Sequence, residues 1–424
     1  MGTDVPYTKV MGFCLPPADG RPACTGGNAA GLVLPPHSAR LSTADKIALA
    51  ARLGFSETVF MTPCAVAQEG EPAADAQLEP ALRLQFFTPT AEVDVCGHAT
   101  IACMGYWYDN LRRVRASGVS LWDMQACAGS TGDGAAKKTG SSDIAISTKA
   151  GTLRVEFDLP PPSRDGGGTA AGGDECKTSD TGGPPRVFMT QNALAVDADQ
   201  DVSAAAVAAA LGIPPGALLP RPFAPCVAST GLRDIIVGVE PGWLAKLSPD
   251  MAAIAALSSK HDTIGMHVWA VPDDHSGAGD SEAPTCRART GAPHVFEVRN
   301  FAPGCGIPEE SATGTANCVT GCLLAPFLAS CACDVCASGC GREKVEFTFL
   351  QGQFMDGNCQ SVVNVVVEVE PLVPVTSGTT PQTASQLGSS WLRLCRGDKV
   401  DLPRVQYRHR GDPRVGGVGA VAVE

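Results

Sequence analysis

Residues 97–108 read GHATIACMGYWY and residues 314–328 read GTANCVTGCLLAPFL. Both stretches are apolar nearly all the way round and crowded with Ala, Gly, Cys and Thr. A helix without a polar face must be surrounded by protein. Each opens on a glycine, Gly97 and Gly314, and each is flanked by strand-like runs. Two such units in one chain predict two equivalent halves, each a curved sheet wrapped around its own helix. The alternative is a pair of unrelated core helices inside one α+β domain.

Outward from these helices, runs rich in β-branched and aromatic residues predict strands at 82–87, 143–147, 152–158, 234–239, 267–271, 294–301, 344–350 and 362–369. Residues 42–53 (STADKIALAARL) open with a capping pattern and stop before Gly54, which predicts one amphipathic surface helix. Segments 129–143, 160–185, 273–291 and 376–390 are rich in Gly, Ser, Pro and Asp. They lack the apolar content needed to offset the entropy of ordering and are expected to be surface loops.

The chain has 424 residues, enough for two or three domains at about 150 residues each. Its net charge is −12 and it has no basic run, which argues against binding nucleic acid or an anionic membrane. No apolar stretch reaches the roughly 18 residues that span a bilayer. The N-terminus MGTDVPYTKVMGFC has no apolar signal region, so a cytoplasmic location is expected. The 18 cysteines then read as reduced thiols. Cys331, Cys333, Cys336 and Cys340 lie close together, but their spacing matches no standard ligand set and includes no His, so no metal is expected.

Three elements carry candidate chemistry. In FSETVF (55–60), period-two alternation puts Phe55, Glu57 and Val59 on one strand face. A carboxylate desolvated on an apolar face is poised for proton transfer; the plainer alternative is an edge-strand Glu. In TPTAEVDVCGHATIA (88–102), a strand ending at Cys96 is followed by Gly97 and His98 at the start of the buried helix. The free N–H groups there favour a carboxylate or enolate oxygen. His98 reads as a donor or second acid/base, or as a capping His. In GIPEESATGTAN (306–317), Glu309 and Glu310 precede the second helix and Thr315 offers a hydroxyl. An ordinary acidic first helical turn is the alternative.

With DGRPACTGGNAAGLVL (19–34), ASTG (228–231), RNFAPGCGIPEESATGTAN (299–317), QGQ (351–353) and the closing PRVGGVGAVAVE, these segments resemble the phenazine biosynthesis (PhzF-like) isomerase family. The likeness extends over nearly the whole chain outside the inserts. It implies the diaminopimelate epimerase-like fold of class α+β. Two similar β-barrel-like domains would each hold a central buried helix, with the active site in the cleft between them. The expected division is 1–195, carrying Glu57 and His98, and 196–424, carrying Glu310 and Thr315.

The resemblance implies Glu57 as the general acid/base, with His98 and Glu310 as further catalytic groups. It implies substrate binding by Gly27, Asn28, Cys96, Gly97, Ser229, Thr230, Gly231, Gly314 and Thr315. Two departures stand out: Glu310 and Ser311 replace the family's Asp and Pro, and Thr315 replaces its Ser. No Walker loop, dinucleotide fingerprint or HExxH motif occurs, so no cofactor is expected. The expected function is cofactor-independent proton transfer on a small amino or hydroxy carboxylic acid, by a homodimer. Alternatives are a racemase- or dehydratase-like enzyme of the same fold using Cys96, and a non-catalytic ligand-binding member. A thiol pair is disfavoured because the second thiol position falls near Thr313.

Overall fold

The computed structural model describes residues 3–15, 25–64, 80–117, 141–158, 186–197, 200–272, 293–329, 343–357, 359–369, 406–411 and 414–423. The four-cysteine cluster, nearly all of the four inserts and residues 19–24 lie outside them. Two compact units result: Met1–Cys24, Ala29–Met189 and Arg410–Glu424 form the first, and Thr25–Asn28 with Thr190–His409 form the second. A single cut at 195/196 therefore does not describe the division. The reason is strand pairing: β18 (Arg414–Val423) runs antiparallel along β1 (Thr3–Gly12), from Thr3 opposite Val423 to Met11 opposite Arg414.

In the first unit β2 (Asn28–Val33) lies beside β1 and passes through the short α1 (His37–Arg40) and α2 (Thr43–Leu53) to β3 (Glu57–Pro63). β2 and β3 are parallel, and β3 is antiparallel to β4 (Leu82–Phe87). The two-residue β5 (Glu92–Val93) pairs with β4, then α3 (Gly97–Ser117) crosses to β6 (Ser141–Thr148), parallel to β4. β7 (Gly151–Asp158) and β8 (Arg186–Thr190) continue the sheet antiparallel. α2 forms as the sequence predicts: Ser42 and Asp45 make a reciprocal capping box, and Gly54 ends the helix at φ 67°.

Three local expectations are corrected here. No strand reaches Cys96, because β5 stops at Val93. Phe55 precedes β3, and all of Glu57–Met61 is buried rather than alternating. Both faces of β3 are covered: Phe60 packs with Leu49 and Ala50 of α2, while α3 lies on the other side. α3 also runs past Tyr108, since DNLRRVRAS is polar but contains no helix breaker.

The second unit repeats this plan. β9 (Ala195–Asp197), β10 (Cys226–Ser229) and β11 (Arg233–Gly238) are antiparallel neighbours. β11 is parallel to β12 (Gly265–Ala270), which is antiparallel to β13 (His294–Ala302). The short β14 (Ile307–Glu310) pairs with β13, and α6 (Gly314–Ala329) crosses to β15 (Glu343–Gln351), parallel to β13 and antiparallel to β16 (Ser361–Val369). α6 touches β10 and β11 as well as β15 and β16, so the sheet curls around its helix.

Besides the one-turn α1, two helices escaped the sequence reading: α4 (Ala204–Leu211) and α5 (Met251–His261), capped by Ser203 and Asp250. They cover the outer face of the sheet, where Val207, Leu211 and Ile254 pack with Ile235, Val237, Met266, Val268 and Phe301. β17 (Gln406–Gly411) precedes the closing strand.

The registers of the two units superpose in sequence. Ala30 faces Glu57 and Thr58 faces Phe87; Asp234 faces Gly265 and Met266 faces Phe301. Among the described residues no helix is long and apolar enough to cross a membrane.

Candidate functional site

In the first unit, Glu57 is the opening residue of β3, set by the turn that ends α2 at Gly54. It is 7% exposed. His98, the second residue of α3, is 1% exposed. Its Nε2 lies 3.4 Å from Glu57 Oε2 and 3.4 Å from Ser56 Oγ, while its Nδ1 lies 3.2 Å from Cys96 Sγ. Glu57 Oε2 is buried and makes no hydrogen bond, although it lies 3.4 Å from His98 Nε2. Burial holds His98 below the usual histidine range, opposed by the charge of Glu57 and a hydrogen bond with the Ala29 backbone. The imidazole is therefore neutral at pH 7. Gly12 makes this placement feasible: a Cβ there would sit 2.5 Å from the His98 carbonyl oxygen.

Glu57, Cys96 and His98 bring three metal-ligating atoms within 4.8 Å of one another. The donor set suits zinc. Its disposition does not, because the thiol and the carboxylate address different nitrogens of one ring. One ion held by all three would require the ring to turn away from a partner. The ring instead stands between a thiol and a carboxylate, two proton-exchanging groups on its two nitrogens.

In the second unit, the elements gather around the start of α6. Glu310 ends β14 and is half-buried. Its Oε1 accepts from Asn28 Nδ2 at 3.2 Å, and its Oε2 accepts from Thr313 Oγ1 at 3.0 Å, with Asn300 Nδ2 at 3.5 Å. Asn28 also donates to the Ala312 carbonyl at 3.3 Å, and Ser311 Oγ donates to the Gly27 carbonyl at 3.1 Å. Gly27 adopts φ 84°, a left-handed conformation natural to glycine. Thr230 Oγ1 donates to the Thr315 carbonyl at 3.3 Å, and Ser229 Oγ closes the ASTG turn by accepting from the Gly231 N–H. Thr315 itself is buried.

So Gly27, Asn28, Thr230, Glu310, Gly314 and Thr315 come together in the second unit, with Ser229 and Gly231 flanking Thr230. Glu57, Cys96, Gly97 and His98 come together in the first. Glu309 and Glu310 do not form an acidic first helical turn, because both lie on β14. Glu309 pairs in bidentate fashion with Arg299 at 2.8 Å, and that guanidinium lies over Phe301 and Phe354.

Sequence reasoning missed Gln351, Thr313, Asn317, Asn300 and His267. Gln351 Nε2 donates to the Glu310 carbonyl and Thr313 Oγ1, while its Oε1 accepts from Thr313 N and Asn317 Nδ2. The available signals were polar residues inside apolar runs: His267 in HVWAV and Asn317 in the buried helix.

This architecture, two curled sheets each with a central helix, is the two-domain epimerase-like fold. The same fold occurs in the phenazine biosynthesis protein, PhzF family, of Bacillus anthracis (TM-score 0.56, 19% identity, 99% of both chains). It occurs also in a predicted epimerase from Pseudomonas aeruginosa (TM-score 0.54, 14% identity, 98% of this chain and 99% of that one). A family model described as "Phenazine biosynthesis-like protein" matches residues 22–371, and the chain belongs to that family. A Deinococcus radiodurans relative named "Uncharacterized isomerase" is 30% identical over 75% of each chain. The "Uncharacterized isomerase YddE" of Salmonella typhimurium is 26% identical over 69% of this chain and 71% of its own.

Proposed function

We propose that the protein is an isomerase that moves a proton on a small amino or hydroxy carboxylic acid, without a cofactor, using Glu57 as acid/base. The observation that carries this reading is Glu57 Oε2, a buried carboxylate oxygen without a hydrogen bond, 3.4 Å from a neutral His98. Burying such an atom is costly unless something else requires it. Glu57 removes a proton from an activated carbon and returns it elsewhere on the substrate. His98 orients the carboxylate and takes part in passing the proton. N–H groups at the starts of α3 and α6 stabilise negative charge developing on substrate oxygen. Glu310 is the further acid/base group, and Gly27, Asn28, Cys96, Gly97, Ser229, Thr230, Gly231, Gly314 and Thr315 contact substrate. The relatives named as isomerases support the reaction class.

The test is exchange of substrate protons with deuterated water across a panel of small amino and hydroxy acids. Glu57→Gln keeps the shape but cannot exchange a carboxyl proton. General acid–base catalysis by one residue is typically worth about 10²–10⁴ in rate, or roughly 3–5 kcal/mol of barrier. The variant is expected to lose exchange and turnover by that factor while still binding substrate. Undiminished exchange in Glu57→Gln refutes the assignment. A second reading, with Cys96 as the acid/base, is favoured by its thiol lying 3.2 Å from His98 Nδ1.

A further inference from the structure

Three paired strands of the second unit carry a polar row. His267 on β12 lies opposite Asn300 on β13, which lies opposite Glu310 on β14. The matching row in the first unit is Val59, Phe86 and Val93. The strand framework therefore needs no polar group at these positions.

Hydrogen bonding fixes where the protons of this row reside. The Thr313 N–H requires an oxygen from Gln351, and the Glu310 carbonyl requires its NH₂, so the Gln351 amide has one orientation. Asn317 must then turn its NH₂ to Gln351 Oε1 and the Thr313 carbonyl. Its Oδ1 faces His267 Nε2 at 3.1 Å, so Nε2 carries a proton. Burial pushes His267 down to about 4, against its bonds to Asn300 and Asn317, so the ring is neutral at pH 7. A neutral imidazole has one N–H, which leaves Nδ1 a lone pair.

As placed, Asn300 Oδ1 lies 3.1 Å from that Nδ1 and Asn300 Nδ2 lies 3.5 Å from Glu310 Oε2. A half-turn of its amide exchanges oxygen and nitrogen and leaves the heavy-atom positions in place. With an N–H directed to His267, its oxygen faces Glu310 Oε2, and two oxygens face each other favourably only when a proton lies between them. The opposite orientation stabilises an ionised Glu310 but demands an imidazolium at a fully buried site.

We propose that Glu310 and His267 share one proton through the Asn300 amide, and that at neutral pH this proton resides on Glu310. His267 and Asn300 are then positioning residues that keep Glu310 a carboxylic acid. With Oε2 protonated, Oε1 accepts from Asn28, and Oε2 accepts from Thr313 and turns its O–H toward Asn300. That Glu310 meets substrate rests on the function proposed above; its protonation state does not.

Among the described residues, Asp234, Arg299, Glu309 and Cys318 leave this intact. Asp234 on β11 shares the face but lies opposite Gly265, while His267 lies opposite Ile236. Arg299 and Glu309 neutralise each other, and by strand alternation Arg299 leaves the opposite face of β13 from Asn300. Cys318 on α6 is buried, which pushes its thiol up and keeps it uncharged.

The test is NMR on the full chain without substrate, with ¹³C in glutamate carboxyls and ¹⁵N in histidine rings. Glu310→Gln and His267→Gln assign the two signals by their loss. The expected result at pH 7 is a protonated Glu310, binding its proton more than about 500-fold more tightly than an ordinary glutamate carboxylate, and a neutral His267 with its proton on Nε2. In His267→Gln, whose amide can donate to Asn300, Glu310 is expected to lose at least tenfold in proton affinity. An ionised Glu310 or a charged His267 in the wild type overturns the proposal, whether or not His267→Gln folds. An unchanged Glu310 titration in folded His267→Gln overturns it too. No turnover is read, so failure of the isomerase assay and failure of this proposal are separate outcomes.

Discussion

The central helix of the first unit starts Cys96–Gly97–His98, and that of the second starts Thr313–Gly314–Thr315. One turn further on, both make the same bond back to the residue before the glycine. Thr100 Oγ1 donates to the Cys96 carbonyl at 2.7 Å and Asn317 Nδ2 donates to the Thr313 carbonyl at 2.7 Å. The paired strands beside them differ as sharply. Glu57 faces Ala30 in the first unit, whereas Gly265 faces Asp234 in the second, so the carboxyl has moved to the neighbouring strand. What repeats is the framework that encloses each helix. What differs is every group able to hold or pass a proton.

That contrast breaks most readily at the first helix start. Glu57→Gln is expected to lower turnover by about 10²–10⁴. Cys96→Ser keeps a small polar atom near His98 Nδ1 and is expected to lower it less than about tenfold. Steady-state rates on any substrate the protein turns over will order the two variants. The reverse order moves the acid/base role from the carboxylate to the thiol.

Asp234 offers the next largest effect, on stability. It is 3% exposed, its Oδ1 lacks a partner, and burial pushes it up to about 7 against a hydrogen bond from the Gly265 backbone. Its folded value lies above the unfolded one of 3.8, so folding favours the neutral acid. The stability this supplies is complete below about pH 4 and is lost as pH rises through about 7. Asp234→Asn should be indistinguishable from wild type at pH 4 and more stable at pH 8, by on the order of a few kcal/mol. Urea unfolding at the two pH values checks this. A pH-independent difference would show that the Asp234 carboxyl is not neutralised by folding.

Gly12 sharpens the same comparison by acting on the first unit alone. Its Cβ would lie 2.5 Å from a backbone oxygen of His98, which cannot yield as a flexible side-chain end does. Gly12→Ala should cost about 1–3 kcal/mol, as overpacking does, and shift the His98 ring signals in NMR. Unmoved His98 signals would mean that β1 gives way instead of α3.

The sequence disclosed the framework more fully than the site, for physical reasons. Helices apolar on every side have one fate, burial, and β-branched runs bounded by turn residues have another. LRLQFF became a strand with the bounds the sequence predicts. α4 and α5 were missed because short Ala-rich stretches give little periodicity, although Ser203 and Asp250 were legible caps. Glu57 and His98 were legible as candidates because each sits at a marked local boundary, a strand start and a helix start. His267, Asn300 and Gln351 were not, because their roles depend on pairing between strands far apart in the chain. Only the register of β12, β13 and β14 brings His267 and Asn300 into one row with Glu310.

The smallest expected effect compares the helices that cover the two sheets, α2 and α5. Ser42 caps α2 by accepting from Asp45 N at 3.2 Å, and Asp45 returns a bond to the Ser42 N–H. Asp250 caps α5 alone, its Oδ1 accepting from Ala252 N at 2.9 Å and Ala253 N at 3.0 Å. Either cap replaced by Ala should cost about 0.5–2 kcal/mol. Asp250→Ala should cost more, because it leaves two N–H groups unsatisfied and removes the one negative charge at that helix start. In Ser42→Ala, Asp45 remains in the first turn and still complements the helix dipole. Native-state hydrogen exchange reads each helix separately: amides near residue 252 should lose more protection in Asp250→Ala than amides near residue 45 lose in Ser42→Ala. If α2 loses more, the reciprocal box outweighs a charged cap with two bonds, and the two covering helices are anchored in the opposite order to the one argued here.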